Sequence, residues 1–247
     1  MIVLPAVLAA FALQPTVAVI DTGADLRQPD IAAARASAYD VRSHSTDVRD
    51  LNGHGTRVAS IVARESGGAR LLIIRAGSAS GAFTDANEAT AIRYAVDHGA
   101  RIVNLSLGGP STSTVERAAV RYAVARGVLV VAAAGDDYAS RPEYPAALIG
   151  TGGLAVAAVT SAGAHAAFSN SGPWVSVAAP GDDGTSFAAP HVAAAAARVW
   201  AANPSLTARR VAAILRETAS GHGTRTDAVG FGVVDVSAAL ALVRSTR

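Results

Sequence analysis

The chain has 247 residues, of which 51% are hydrophobic and only 16% charged; that balance excludes intrinsic disorder and allows a sizeable core. It contains no Cys, so a disulfide framework, a thiolate nucleophile and a Cys-bound zinc site are excluded. The formal net charge is +2, and all 21 basic residues are Arg; they are scattered without a patch or stripe, which gives no support for nucleic-acid binding.

Residues 1–13 are apolar and include Ala10-Phe11-Ala12, a small-x-small pattern like a signal-peptidase site, but they lack a basic n-region. Two readings stand open, a signal peptide and an ordinary buried segment, so residues 1–15 are set apart as a possible signal peptide or N-terminal segment. The first reading implies a secreted or periplasmic protein and the second leaves the cytoplasm open. The run is too short to span a bilayer. Residues 16–247 read as a single domain.

Thr16-Val17-Ala18-Val19-Ile20 is a short apolar run, the mark of a central parallel strand buried on both faces. It stops at Asp21, and an acid at the carboxyl end of such a strand lies where α/β folds place their sites. Residues 29–50 read as a polar surface excursion. Asn52-Gly53-His54-Gly55-Thr56 then leads into a helix through Val58–Ala63, which puts His54 at a helix start between two glycines. Further strands are expected at 71–74, 102–107, 128–134, 154–159 and 174–178. Helices are expected at 87–98, 115–126, about 205–218 with Ser205 or Thr207 as cap, and 237–244. Strands alternating with helices predict an α/β fold, a three-layer arrangement with a mostly parallel twisted sheet covered on both faces.

The stretch Gly184-Thr185-Ser186-Phe187-Ala188-Ala189-Pro190-His191-Val192, followed by five alanines, has a Gly turn, a hydroxyl and then the composition of a buried helix. Ser186 is expected at the helix N-terminus, where free N–H groups and the dipole favour developing negative charge, with Pro190 in the first turn. An acid, a His and a Ser are the set that acyl transfer needs. The hydroxyl is a poor nucleophile until an imidazole takes its proton, and the carboxylate fixes the tautomer of that imidazole.

The three blocks around Asp21, His54 and Ser186 resemble the catalytic blocks of the subtilisin-like (subtilase) serine proteases, in the Asp, His, Ser order known for subtilisin. The resemblance covers about residues 16–243. It implies a serine endopeptidase with Asp21, His54 and Ser186 as triad and the Ser186 N–H as one oxyanion donor. It also implies that Ser106-Leu107-Gly108-Gly109 pairs with an extended polypeptide substrate as an added strand. Ala133-Ala134-Gly135 would wall the primary specificity pocket, with room for a large apolar side chain. His191 falls at a structural position. The implied partner is a polypeptide, with no nucleic acid and no membrane span, and the enzyme would be a monomer.

The sequence departs from the family in four places. Asp136 stands where the second oxyanion donor is usually Asn, and an ionised Asp has no proton to give; burial and neighbouring Asp137 are expected to keep it protonated, so that activity favours acid pH. Between Ala179-Pro180-Gly181 and Gly184 only Asp182-Asp183 replace a longer hairpin. From Arg64 to Arg70 the chain is shorter than in relatives with a calcium loop, so no metal site and no cofactor are expected, calcium remaining possible without a recognisable ligand loop. Little precedes the first strand. These departures also sustain an alternative, a subtilase-fold binding protein with weakened or lost turnover.

Overall fold

The computed structural model describes residues 14–34 and 37–246. The segment read as a possible signal peptide lies almost wholly outside them. Seven strands form one parallel sheet in the order β2-β3-β1-β4-β5-β6-β7. They are β1 (Thr16–Asp21), β2 (Ser37–Asp40), β3 (Arg70–Arg75), β4 (Ile102–Leu105), β5 (Leu129–Ala133), β6 (Leu154–Val159) and β7 (Val177–Pro180). The residues of β1, β4, β5 and β6 are buried throughout, which is why they read as mostly apolar runs rather than as alternation.

Two main cores form because alternate residues of each strand point to opposite faces, with a smaller cluster of Ala134, Ala157, Val159, Val175 and Ala178 at the β6–β7 end. One face packs Val17, Val19, Ile73, Val131 and Val156 under α2 (His54–Glu65), α5 (Thr185–Ala202), α6 (Ala208–Glu217) and α7 (Val236–Ser245). The other packs Ala18, Ile20, Leu72, Val103 and Val130 under α3 (Asp85–Asp97) and α4 (Thr114–Ala125). Helix α5 crosses β4 to β7. It is buried on most sides, as its Ala-rich composition requires.

Two expectations need correction. The excursion at 29–50 contains a short helix, α1 (Pro29–Ala33), and the edge strand β2, which pairs only with β3. Half-solvated on its outer side, β2 carries no apolar run to announce it. The strand expected at 174–178 is β7 at Val177–Pro180, because Val175 N–H closes a turn on Gly172 C=O and the register with β6 starts at Val177. Helix α6 is capped by Thr207, whose side chain accepts from Arg210 N–H.

Strand order reverses at β1. From β1 the chain goes out to the edge strand β2, comes back to β3 beside β1, and then crosses to β4 on the other side of β1. The carboxyl ends of β1 and β4 therefore border the topological switch point, where open α/β sheets bind ligands. Ile20 stands opposite Leu105 and Leu105 opposite Ala132. Asp21, Ser106 and Ala133 thus leave the sheet side by side.

Candidate active site

Asp21 is 1% exposed at the end of β1. Its Oδ1 accepts from Thr22 N–H at 2.7 Å and lies 2.8 Å from His54 Nδ1. Its Oδ2 is buried with no partner. Burial raises the Asp21 pKa, against the lowering effect of His54 and Thr22. His54 opens α2, and Gly55 behind it lets the helix come close. A Cβ there would stand 2.2 Å from Gly23 O and 3.1 Å from Asp21 Oδ1, which only glycine avoids.

Sequence reading missed the residue that holds this corner. Asp50 accepts from Thr22 Oγ1, Asn52 N–H and Gly53 N–H through Oδ1, and from Thr56 N–H and Oγ1 through Oδ2, all at 2.7–3.0 Å. The first turn of α2 is thereby tied to the end of β1, and Thr22 Oγ1 in turn accepts from Gly55 N–H at 3.0 Å. An Asp four residues before the His, with Thr two after it, was the available signal, since Asx capping needs that pattern. Burial pulls the His54 pKa down. The Asp21 hydrogen bond and the charges of Asp21 and Asp50 outweigh that and hold it above the ordinary 6.5.

Ser186 is the second residue of α5, so its N–H has no helical carbonyl to bond. Pro190 is the sixth residue of the helix, not a first-turn residue as expected. Lacking an N–H, it leaves the Ser186 carbonyl without its helical donor. Ser106 Oγ supplies the bond instead, at 2.6 Å, and is itself held by Asn104 Nδ2 at 3.0 Å. In return Ser186 Oγ donates to Ser106 C=O at 3.1 Å. The carboxyl end of β4 and the start of α5 are thus locked by reciprocal bonds. Thr22, His54, Ser106, Leu107, Gly108 and Ser186 line one open cavity of about 240 Å³. The hydroxyl of Ser186 is turned towards Ser106 and makes no hydrogen bond to the imidazole.

Asp136 lies at the other side of the helix start. Its Oδ1 accepts from Thr185 N–H at 2.8 Å, and Thr185 Oγ1 accepts from Gly135 N–H at 3.1 Å. The side chain is exposed, so the burial expected to keep it protonated is missing, and it serves as an acceptor at a helix N-terminus. The shortened turn at 182–183 does not displace Ser186: Gly184 N–H closes it on Gly181 C=O, Asp183 pairs with Arg57 at 2.6 Å, and Asp182 accepts from Ser161 N–H. His191 pairs with Glu65 at 2.6 Å. Among the described residues no three His, Asp or Glu side chains converge on a metal position.

A carboxylate, an imidazole and a hydroxyl at the switch point of a parallel sheet are the parts of a serine hydrolase. The chain belongs to the subtilase family, whose model matches residues 14–232. It is 38% identical over 205 residues to a thermophilic serine proteinase of Bacillus sp. (strain AK1), covering 73% of this chain and 51% of that protein. It is 35% identical over 246 residues to subtilisin Savinase of Lederbergia lenta, covering 90% and 89%. The crystal structure of a cold adapted subtilisin-like serine proteinase superposes with a TM-score of 0.76 at 30% identity, over 89% of this chain and 86% of that one. The chain therefore spans about half the length of the Bacillus relative and nine-tenths of the Lederbergia one.

Proposed function

We propose that this chain is a serine endopeptidase that hydrolyses peptide bonds through an acyl-enzyme. Ser186 attacks the scissile carbonyl, His54 takes the hydroxyl proton and returns it to the leaving amine, and Asp21 holds the imidazole with Nε2 free to accept. The observation that carries the reading is the 2.8 Å bond from His54 Nδ1 to buried Asp21, with Ser186 lining the same cavity as His54. Attack requires the Ser186 hydroxyl to leave Ser106 C=O and turn to the imidazole. The Ser186 N–H is the first oxyanion donor. The substrate lies extended against Ser106, Leu107, Gly108 and Gly109 with a side chain directed at Ala133, Ala134 and Gly135. The protein works outside the cell as a monomer. No helix of the described residues is long and apolar enough to cross a membrane.

The direct test is a cleavage profile with a quenched-fluorescence peptide library across pH. Turnover is expected, and its absence at every pH would leave only the binding-protein reading. The acid limb of kcat/KM is expected above pH 6.5, because the imidazole must be neutral to act as base and its pKa is raised. Stability runs the other way at this group. With the folded pKa above the unfolded one, the His54 contribution is complete below about pH 6.5 and is lost as pH rises through the folded value.

Asp136→Asn keeps an oxygen for Thr185 N–H and adds an amide that can reach a developing oxyanion. A rise in kcat of about 10²–10³ is expected above neutral pH, the size of one such donor in a subtilisin. An unchanged rate would remove position 136 from the oxyanion hole.

A further inference from the structure

Three glutamates surround the Leu107–Gly109 segment. Glu143 is 6% exposed, Glu88 5% and Glu116 2%. In each of them one carboxyl oxygen is sealed from solvent without a hydrogen bond: Glu143 Oε2, Glu88 Oε1 and Glu116 Oε2. Among the described residues no arginine or histidine forms an ion pair with any of the three. Buried carboxyl groups are normally paired or hydrogen-bonded, so three orphans around one segment call for an absent partner.

Their positions fall into two groups. Gly109 and Tyr144 form an antiparallel bridge with both N–H···O bonds at 2.9 Å, which brings Glu143 beside Gly108. A Cβ on Gly108 would stand 2.8 Å from Glu143 Oε1, and one on Gly135 would stand 2.9 Å from Glu143 Cγ. Glu143 therefore lies between the segment expected to pair with substrate and the one expected to wall the primary specificity pocket. Glu143 thus sets a carboxyl group against a stretch where the sequence shows only small residues. On the other side of the segment is a cavity of about 140 Å³ walled by Leu107, Gly108 and Gly109 and by Asp85, Glu88 and Glu116.

We infer that the cleft selects polypeptides with two cationic side chains, lysine or arginine, one set against Glu143 and one entering the Glu88–Glu116 cavity. The inference rests on the endopeptidase reading, since it names the substrate of that same cleft. Ammonium and guanidinium groups are donors only and ionised carboxylates acceptors only, so the two satisfy each other through charge-assisted bonds. A neutral side chain would leave the carboxyl oxygens unpaired, and sites built with buried polar groups discriminate strongly for that reason. Without a guest these carboxyl groups hold their protons above the ordinary carboxylate range, and a nearby cation is what returns them to the ionised form. Burial and the charges of Glu116 and Asp85 push Glu88 up to about 8. Burial and the charges of Asp137 and Asp136 push Glu143 up to about 7, although Arg141 opposes this; that arginine is already bound to Asp137 at 2.9 Å.

Quenched-fluorescence peptides carrying arginine, lysine, norleucine or glutamate at each position on the acyl side of the cleaved bond test this. Arginine or lysine is expected to exceed norleucine at least tenfold in kcat/KM at two positions. Glu143→Gln is expected to abolish the preference at one position only, and the Glu88→Gln, Glu116→Gln double variant at the other only. Each ratio is taken within one preparation, so the folded fraction cancels. Fewer than two cation-selective positions, or variants that alter neither or both, overturn the inference. Were the peptides bound but not cut, the endopeptidase reading would fail alone, and calorimetry on the same arginine and norleucine pairs would still decide: tenfold tighter arginine peptides uphold the selectivity, and equal affinities overturn it.

Discussion

Ser186→Ala is expected to lower kcat by about 10⁶-fold with little change in the fold, the loss found when a subtilisin gives up its nucleophile. The hydroxyl donates one bond, to Ser106 C=O, and the carbonyl that anchors the residue is held separately by Ser106 Oγ. Alanine keeps the second contact and is a good helix former. The variant should therefore bind peptides as the parent does, and its residual rate should reflect the Ser186 N–H and substrate positioning alone. Circular dichroism and peptide affinity measured beside kcat separate this from unfolding. A loss of affinity equal to the loss of rate would show that the hydroxyl supports the cleft rather than the chemistry.

Asp21→Asn is expected to cost about 10⁴ in kcat, because an amide can donate to Nδ1 and drive the proton to Nε2, where it blocks acceptance from Ser186. Stability should move in the opposite direction. The folded pKa of Asp21 is raised by burial, so its favourable contribution belongs to pH below 3.8 and is lost as pH rises through the folded value. At about pH 7 the ionised carboxylate opposes folding, and a neutral isostere relieves that. The expected outcome is a nearly inactive protein whose Tm at neutral pH is no lower than the parent's. A lower Tm would mean that the Asp21–His54 pair supports the fold more than burial of the charge opposes it.

Asp21, His54 and Ser186 were legible because each sits at the junction of an element and a turn. The buried strand ending at Asp21, the glycines beside His54 and the Ala-rich helix after Ser186 all leave local signals. The residues that brace them were less legible. Asp50 reads as a loop acid, and Asn104 sits in an apolar strand; what each bonds is decided by tertiary approach. Glu116 looks like the third helical residue of a capping box opened by Ser113. Ser113 does accept from Glu116 N–H, yet one Glu116 carboxyl oxygen is buried without a partner instead of reaching back. Glu143, in Arg141-Pro142-Glu143-Tyr144-Pro145, has the composition of a surface turn, and only the pairing of Tyr144 with Gly109 carries it under the cleft. The edge strand β2 was hidden for a related reason: pairing on one side demands no apolar periodicity.

Treatment of the folded protein with a fluorophosphonate probe, followed by peptide mapping, addresses the shared action of Asp21, His54 and Ser186 most directly. The account predicts a single covalent adduct on Ser186, formed faster as pH rises through the His54 pKa and nearly absent in Asp21→Asn. An unmodified Ser186 across that range, or labelling that is indifferent to Asp21, would contradict it.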